Sequence, residues 1–305
     1  MAATVFALIG VAGFRIWFSQ QDDQTQEKVA QQGVSALEWL RDQDATPEEA
    51  DRAIDWMITI IPQSQGVLVD PEAFGDERFA IGGLPVSDRR LKILENTAFI
   101  VGYDEEMRNP AWVAYRLTYT PGGTTAERPD DFDVDRRTRA RVDHDDYTHS
   151  GYDRGHMAPN YAIGVVYGPQ AQFETFLMSN IVPQSPGLNR GLWRLLEEEV
   201  ARDWLPDYRE LWIISGPVYE EPVRRLPSGV AIPDAFFKIV VDLTDSGELR
   251  MVSVVVPQEA EDFSEASRFL VSIDEIEDAT GLDFMSLLAD ETEDQVEAEG
   301  PRRLW

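Results

Sequence analysis

Five short apolar runs, at residues 99–103, 112–118, 211–215, 236–241 and 251–256, constrain this chain more than any other feature. They are rich in Val, Ile and aromatic residues and too short to form the body of a helix, which makes them strands buried in a sheet. Elsewhere the spacing turns helical. Residues 188–204 bring Leu192, Leu195, Leu196 and Val200 to one face, and residues 272–288 open on a Ser-x-x-Glu capping box at Ser272 and Glu275. Strands with helices set between and after them predict an α+β domain, a central antiparallel β-sheet flanked by helices.

Composition decides what such a domain is for by exclusion. The 305 residues carry 27 Lys or Arg against 56 Asp or Glu, a formal charge of −29, so the chain is no basic module coating nucleic acid by bulk electrostatics. A polyanionic partner needs a local basic site. There is no cysteine, which excludes disulfides, a thiol nucleophile, iron–sulfur clusters and every Cys-containing zinc site. The 43% apolar content is ample for a core.

Outside the sheet-forming region the chain reads as appendages. Residues 2–14 are uncharged and Arg15 interrupts before Ile16, Trp17 and Phe18, so residues 1–19 are expected to be an N-terminal apolar signal or membrane anchor. The protein would then be exported: secreted, periplasmic or membrane-anchored. Residues 20–80 suggest a helical stalk or subdomain, with Thr46-Pro47-Glu48-Glu49 starting its second helix. The catalytic-sized domain spans 81–290. Residues 290–300 hold six acids and no base, so 291–305 is expected to be a solvated acidic tail.

Chemistry concentrates around Tyr152-Asp153-Arg154-Gly155-His156-Met157-Ala158-Pro159-Asn160. His156 is one of three histidines, with His144 and His149. An imidazole is suited to take a proton from water near neutral pH, and the neighbouring Arg154 can hold a phosphate oxygen. Gly155 between them allows backbone or substrate to approach closely. Further on come Ser179-Asn180-Ile181-Val182-Pro183-Gln184 and Leu188-Asn189-Arg190-Gly191-Leu192-Trp193-Arg194-Leu195-Leu196-Glu197.

These three blocks, in this order, resemble the DNA/RNA non-specific endonucleases of the ββα-metal superfamily. The resemblance implies a ββα-metal finger as the active site, with His156 as the general base and Asn189 as the single protein ligand of a magnesium ion, for which manganese is able to substitute. It aligns Glu197 with the family's helix glutamate. Eight residues of regular helix rise about 12 Å, so Glu197 would act through metal-bound water or by orienting other groups. Arg154 and Arg128 match phosphate-binding arginines, and Arg190 is a further candidate for substrate contact. Position 201, where the family often has an arginine, is Ala, with Arg202 the nearest candidate. Asp153, Asn180 and Trp193 are taken as structural supports. Residues 136–194 hold seven bases and five acids, a locally basic stretch on an acidic body.

The activity this resemblance implies is that of a magnesium-dependent, sequence-tolerant endonuclease acting on DNA and RNA substrates. The sequence names no protein inhibitor. The competing reading is a catalytically silent, surface-anchored nucleic-acid-binding or interaction protein on the same fold. A zinc nuclease is disfavoured, since no His-x-x-His or His-x-x-x-His spacing occurs.

Overall fold

The computed structural model describes residues 67–68, 78–244, 247–260, 263–298, 300–301 and 304–305. The chain divides into two compact units, 1–65 and 66–305, and the described residues belong to the second. The signal or anchor at 1–19 and most of the stalk at 20–80 therefore lie outside the described residues. Among the described residues no helix is long and apolar enough to cross a membrane.

All five apolar runs are strands of one sheet. Besides four two-residue strands that pair in two small ribbons, the strands in chain order are β1 (Val67–Leu68), β2 (Lys92–Glu95), β3 (Phe99–Asp104), β4 (Asn109–Thr118), β5 (Asp153–His156), β6 (Ile181–Gln184), β7 (Glu210–Val218), β8 (Ala235–Leu243) and β9 (Glu248–Pro257). Seven of them form a sheet in the order β1-β9-β8-β7-β4-β3-β2, every neighbouring pair antiparallel. The remaining two, β5 and β6, pair antiparallel as a separate two-stranded sheet, with the helices Asn160–Tyr167 and Pro169–Glu174 in the chain between them. Strand alternation splits the core in two. Along β4, Val113, Tyr115 and Leu117 face one cluster while Trp112 and Ala114 face the other. Both faces are thus apolar, and each is covered by helices.

The helices are α1 (Asn160–Tyr167), α2 (Pro169–Glu174), α3 (Pro186–Arg190), α4 (Leu192–Glu199), α5 (Leu205–Tyr208), α6 (Ile273–Thr280) and α7 (Asp290–Ala298). Leu188, Leu192, Trp193 and Leu196 cover the first face, and Ile273, Ile276 and Val296 cover the second.

Four sequence expectations change. The helix expected over 188–204 is broken: Gly191, at φ −101° and ψ −113°, separates α3 from α4, and Val200–Trp204 is a π-turn in which Leu205 N donates to Val200 O. The helix after Ser272 has the expected capping box but ends at Gly281, whose φ of 65° is the left-handed stop that glycine favours. The acidic 291–305 stretch is not a solvated tail. Residues 291–298 continue α7, whose Val296 is buried, and Leu304 and Trp305 pack on the other core, with the Trp305 ring 4.5 Å from Tyr208. Three apolar anchors outweigh the repulsion among the acids. Lastly, the folded unit begins before residue 81: β1 pairs with β9, and Phe79 and Ala80 are buried.

Candidate active site

The site starts from the antiparallel β5–β6 pair, which sets Asp153 against Gln184 and His156 against Ile181. Gly155 is what lets Gln184 of β6 pack against β5. A Cβ there would lie 2.2 Å from Gln184 Oε1, so the space it leaves is filled by the protein's own glutamine and not by substrate. Asn180, buried just before β6, accepts from Ala158 N and donates to the carbonyls of Ala158 and Thr175. It ties together the two ends of the segment that connects β5 to β6. Ser185 then caps α3 by accepting from Leu188 N, and Gln258 holds Ser185 from the end of β9.

This arrangement brings Asp153 beneath α3. Its carboxylate accepts from Asn189 Nδ2 at 3.0 Å and from Arg190 Nε and Nη2 at 2.7 Å each. Burial works against the charge of Asp153, but these hydrogen bonds, with the nearby charges of Arg190 and Arg154, outweigh it and hold the carboxyl below its ordinary value. With its NH₂ committed to Asp153, Asn189 keeps its carbonyl oxygen as the free end of the amide. Arg190, expected as a substrate contact, is engaged in a two-pronged ion pair, although its side chain remains mostly exposed.

His156 is wedged among aromatic rings, 5.4 Å from Phe132 and 5.0 Å edge-on from Phe176. Its Nε2 is buried without a protein partner. Burial, helped by the positive charge of Arg128, pushes its pKa down to about 3, so the ring is neutral at physiological pH and its Nε2 lone pair is not blocked by a proton. Arg154 lies over the rings of Phe132 and Tyr147 and donates to the carbonyl of His144.

Glu197 and Trp193 share one turn of α4. Glu197 Oε1 is buried and lacks a hydrogen-bond partner. Burial raises its pKa, and the charge of Lys238 opposes that rise. Lys238, on β8, is 2% exposed; its Nζ lies 4.4 Å from the centre of the Trp193 ring and donates to Ser215 Oγ at 3.0 Å. Burial lowers its pKa in turn, opposed by Glu197. Sequence reasoning missed this lysine. The signal was there, because period-two alternation puts residue 238 on the same buried face as Phe236 and Val240.

His156, Asn189 and Glu197 all line one cleft of about 340 Å³, together with Arg128, Arg154, Arg190, Arg194 and Arg202, while its carboxylates are Glu197 and Glu198. A net positive pocket thus opens on an acidic body. The break at Gly191 removes the straight-helix spacing assumed between Asn189 and Glu197. Arg202, the nearest arginine to Ala201, lies within the π-turn and lines the cleft, seated over Tyr161 at 5.2 Å. Arg136, Arg137, Arg139 and Arg141 do not line the cleft, and Arg137 and Arg139 pair instead with Asp135 and Glu105.

A profile of the DNA/RNA non-specific endonucleases matches residues 77–291. The chain belongs to this family of metal-dependent nucleases. The endonuclease is 32% identical over 217 residues to a nuclease of Nostoc sp., covering 68% of this chain and 77% of the relative. It is 30% identical over 273 residues to mitochondrial endonuclease G of Bos taurus, covering 83% and 89%. Among solved structures it resembles a chain of the EndoG/EndoGI complex, at a TM-score of 0.60 and 28% identity, over 69% of this chain and 91% of that one.

The endonuclease's cleft also fits a hard cation. The residues lining it offer two uncommitted oxygens, the Asn189 carbonyl and the Glu197 Oε1, beside the imidazole nitrogen Nε2 of His156, and no thiol is available. Few protein ligands are what magnesium accepts, since it retains waters and takes phosphate oxygens.

Proposed function

We propose that this endonuclease is magnesium-dependent and hydrolyses phosphodiester bonds in DNA and RNA with little regard to sequence, using His156 as general base and Asn189 as metal ligand. The observation that carries this reading is the neutral, partner-free Nε2 of His156 lining the same basic cleft as Asn189. His156 takes a proton from the attacking water, and displacement at phosphorus proceeds in line. Arg128 and Arg202 have no ion-pair partner among the described residues, so both are available, with Arg154, for phosphoryl oxygens. Asn189 would hold a magnesium ion, or manganese in its place, which when bound would supply positive charge to offset that developing on the phosphate. Glu197 Oε1 orients water at the base of the cleft. Because arginines address phosphates rather than base edges, sequence tolerance is the consequence.

The convergence of His156, Asn189 and Glu197 argues against a silent binding protein. Export or anchoring remains part of this proposal on the apolar run at 2–14, and N-terminal sequencing of the mature protein tests it. For the activity, supercoiled plasmid is incubated with the protein in magnesium or in chelator. Nicking in the first and none in the second is expected, and equal behaviour in both would refute metal-dependent cleavage.

A further inference from the structure

On the sheet face opposite the cleft, α6 and α7 turn acidic side chains toward each other. Asp274 and Glu277 stand one turn apart on α6, Glu297 comes from α7, and one carboxylate oxygen of each lies within 4.8 Å of the others. Exposed acids often cluster without consequence. Glu297 differs: it is only 5% exposed, and its Oε1 is buried with no hydrogen-bond partner. Glu277 Oε1 accepts from Phe284 N at 2.7 Å, which leaves its second oxygen uncommitted. Asp283, after α6, and Glu293, on α7, add further negative charge, so the neighbouring charges that act most strongly on Glu297 are all of its own sign.

A carboxyl in such a place either keeps a proton or shares a cation. We infer that Asp274, Glu277 and Glu297 form a calcium site that clamps the C-terminal helix to α6. The donors are all carboxylate oxygens, the set that suits a hard cation. Calcium, with bonds of about 2.3–2.6 Å, bridges oxygens up to about 5 Å apart and tolerates irregular geometry completed by water, whereas magnesium at about 2.0–2.1 Å demands a tighter octahedron. The site shares no residue with the cleft and is independent of the nuclease assignment.

The test is thermal melting of the full chain at pH 8, in chelator and in calcium chloride, for wild type, Glu297→Gln, Asp274→Asn and Asn189→Ala. A hundredfold excess of calcium over its Kd is expected to raise the Tm of wild type and Asn189→Ala by about 5–10 °C. Glu297→Gln and Asp274→Asn should lose that response, and Glu297→Gln should melt no lower than wild type in chelator because a neutral amide replaces a crowded acid. Should Glu297→Gln fail to fold, Asp274→Asn, altered at an exposed side chain, carries the comparison alone. A wild type that does not respond to calcium, or variants at this cluster that respond as wild type does, would overturn the site and leave Glu297 as a protonated acid only.

Discussion

Replacing Lys238 by Met keeps the length of the side chain while deleting the ammonium that lies against Trp193 beneath Glu197. Three terms set the result. The hydrogen bond from a charged donor to Ser215 is worth about 1.5–3 kcal/mol, and a desolvated cation–π contact about 2 kcal/mol. Against these stands the several kcal/mol no longer spent burying an ammonium, so the variant should fold when Glu197 can take a proton. The effect therefore moves into pH dependence. An adjacent opposite charge typically shifts a carboxyl by about 1–3 units, each equal to about 1.4 kcal/mol, and losing it raises the already elevated pKa of Glu197 further. The folded state then binds more protons than the unfolded chain above the ordinary carboxylate value, and stability falls as pH rises through neutrality. The activity limb moves the same way: the acid side of the kcat/KM profile should shift upward by about 1–3 units, with roughly tenfold less activity per unit below it. The assay is kcat/KM on plasmid from about pH 5.5 to 9.5, with melting over the same range. A limb that stays at the wild-type pH while activity drops uniformly would show that Lys238 only packs, and the electrostatic reasoning would fail.

His156→Ala should lower kcat by about 10²–10⁴-fold with binding nearly unchanged; half-maximal residual activity in the purified variant would remove it as the base. Asn189→Ala should raise the magnesium concentration needed for half activity and also slow the reaction, whereas an unchanged magnesium titration would exclude it as a ligand. Arg202→Ala should raise KM more than it lowers kcat and reduce the salt slope of single-strand binding by about 0.7, the increment of one phosphate contact. An unaltered slope would mean that Arg202 does not reach the backbone.

The strands were legible in the sequence because their signal is local: a buried β-strand needs a short apolar run, and all five such runs joined the sheet. The family and its three motif blocks were equally plain, since the chemistry depends on residue type at fixed spacing. The helix boundaries were less so. Gly191 and the π-turn at Val200–Trp204 depend on how α4 must lie on the sheet, and no periodicity records that. Tertiary packing alone decided that Arg202 enters the cleft while Arg137 and Arg139 turn to Asp135 and Glu105. Composition made residues 290–300 look solvated, yet Val296, Leu304 and Trp305 found apolar surfaces contributed by strands and helices distant in sequence. The pairing of Lys238 with the environment of Glu197 has the same origin. Local sequence determines which residue types are present and which face they take, but burial, and with it the protonation of His156, Glu197 and Glu297, arises only where segments far apart in the chain exclude water together.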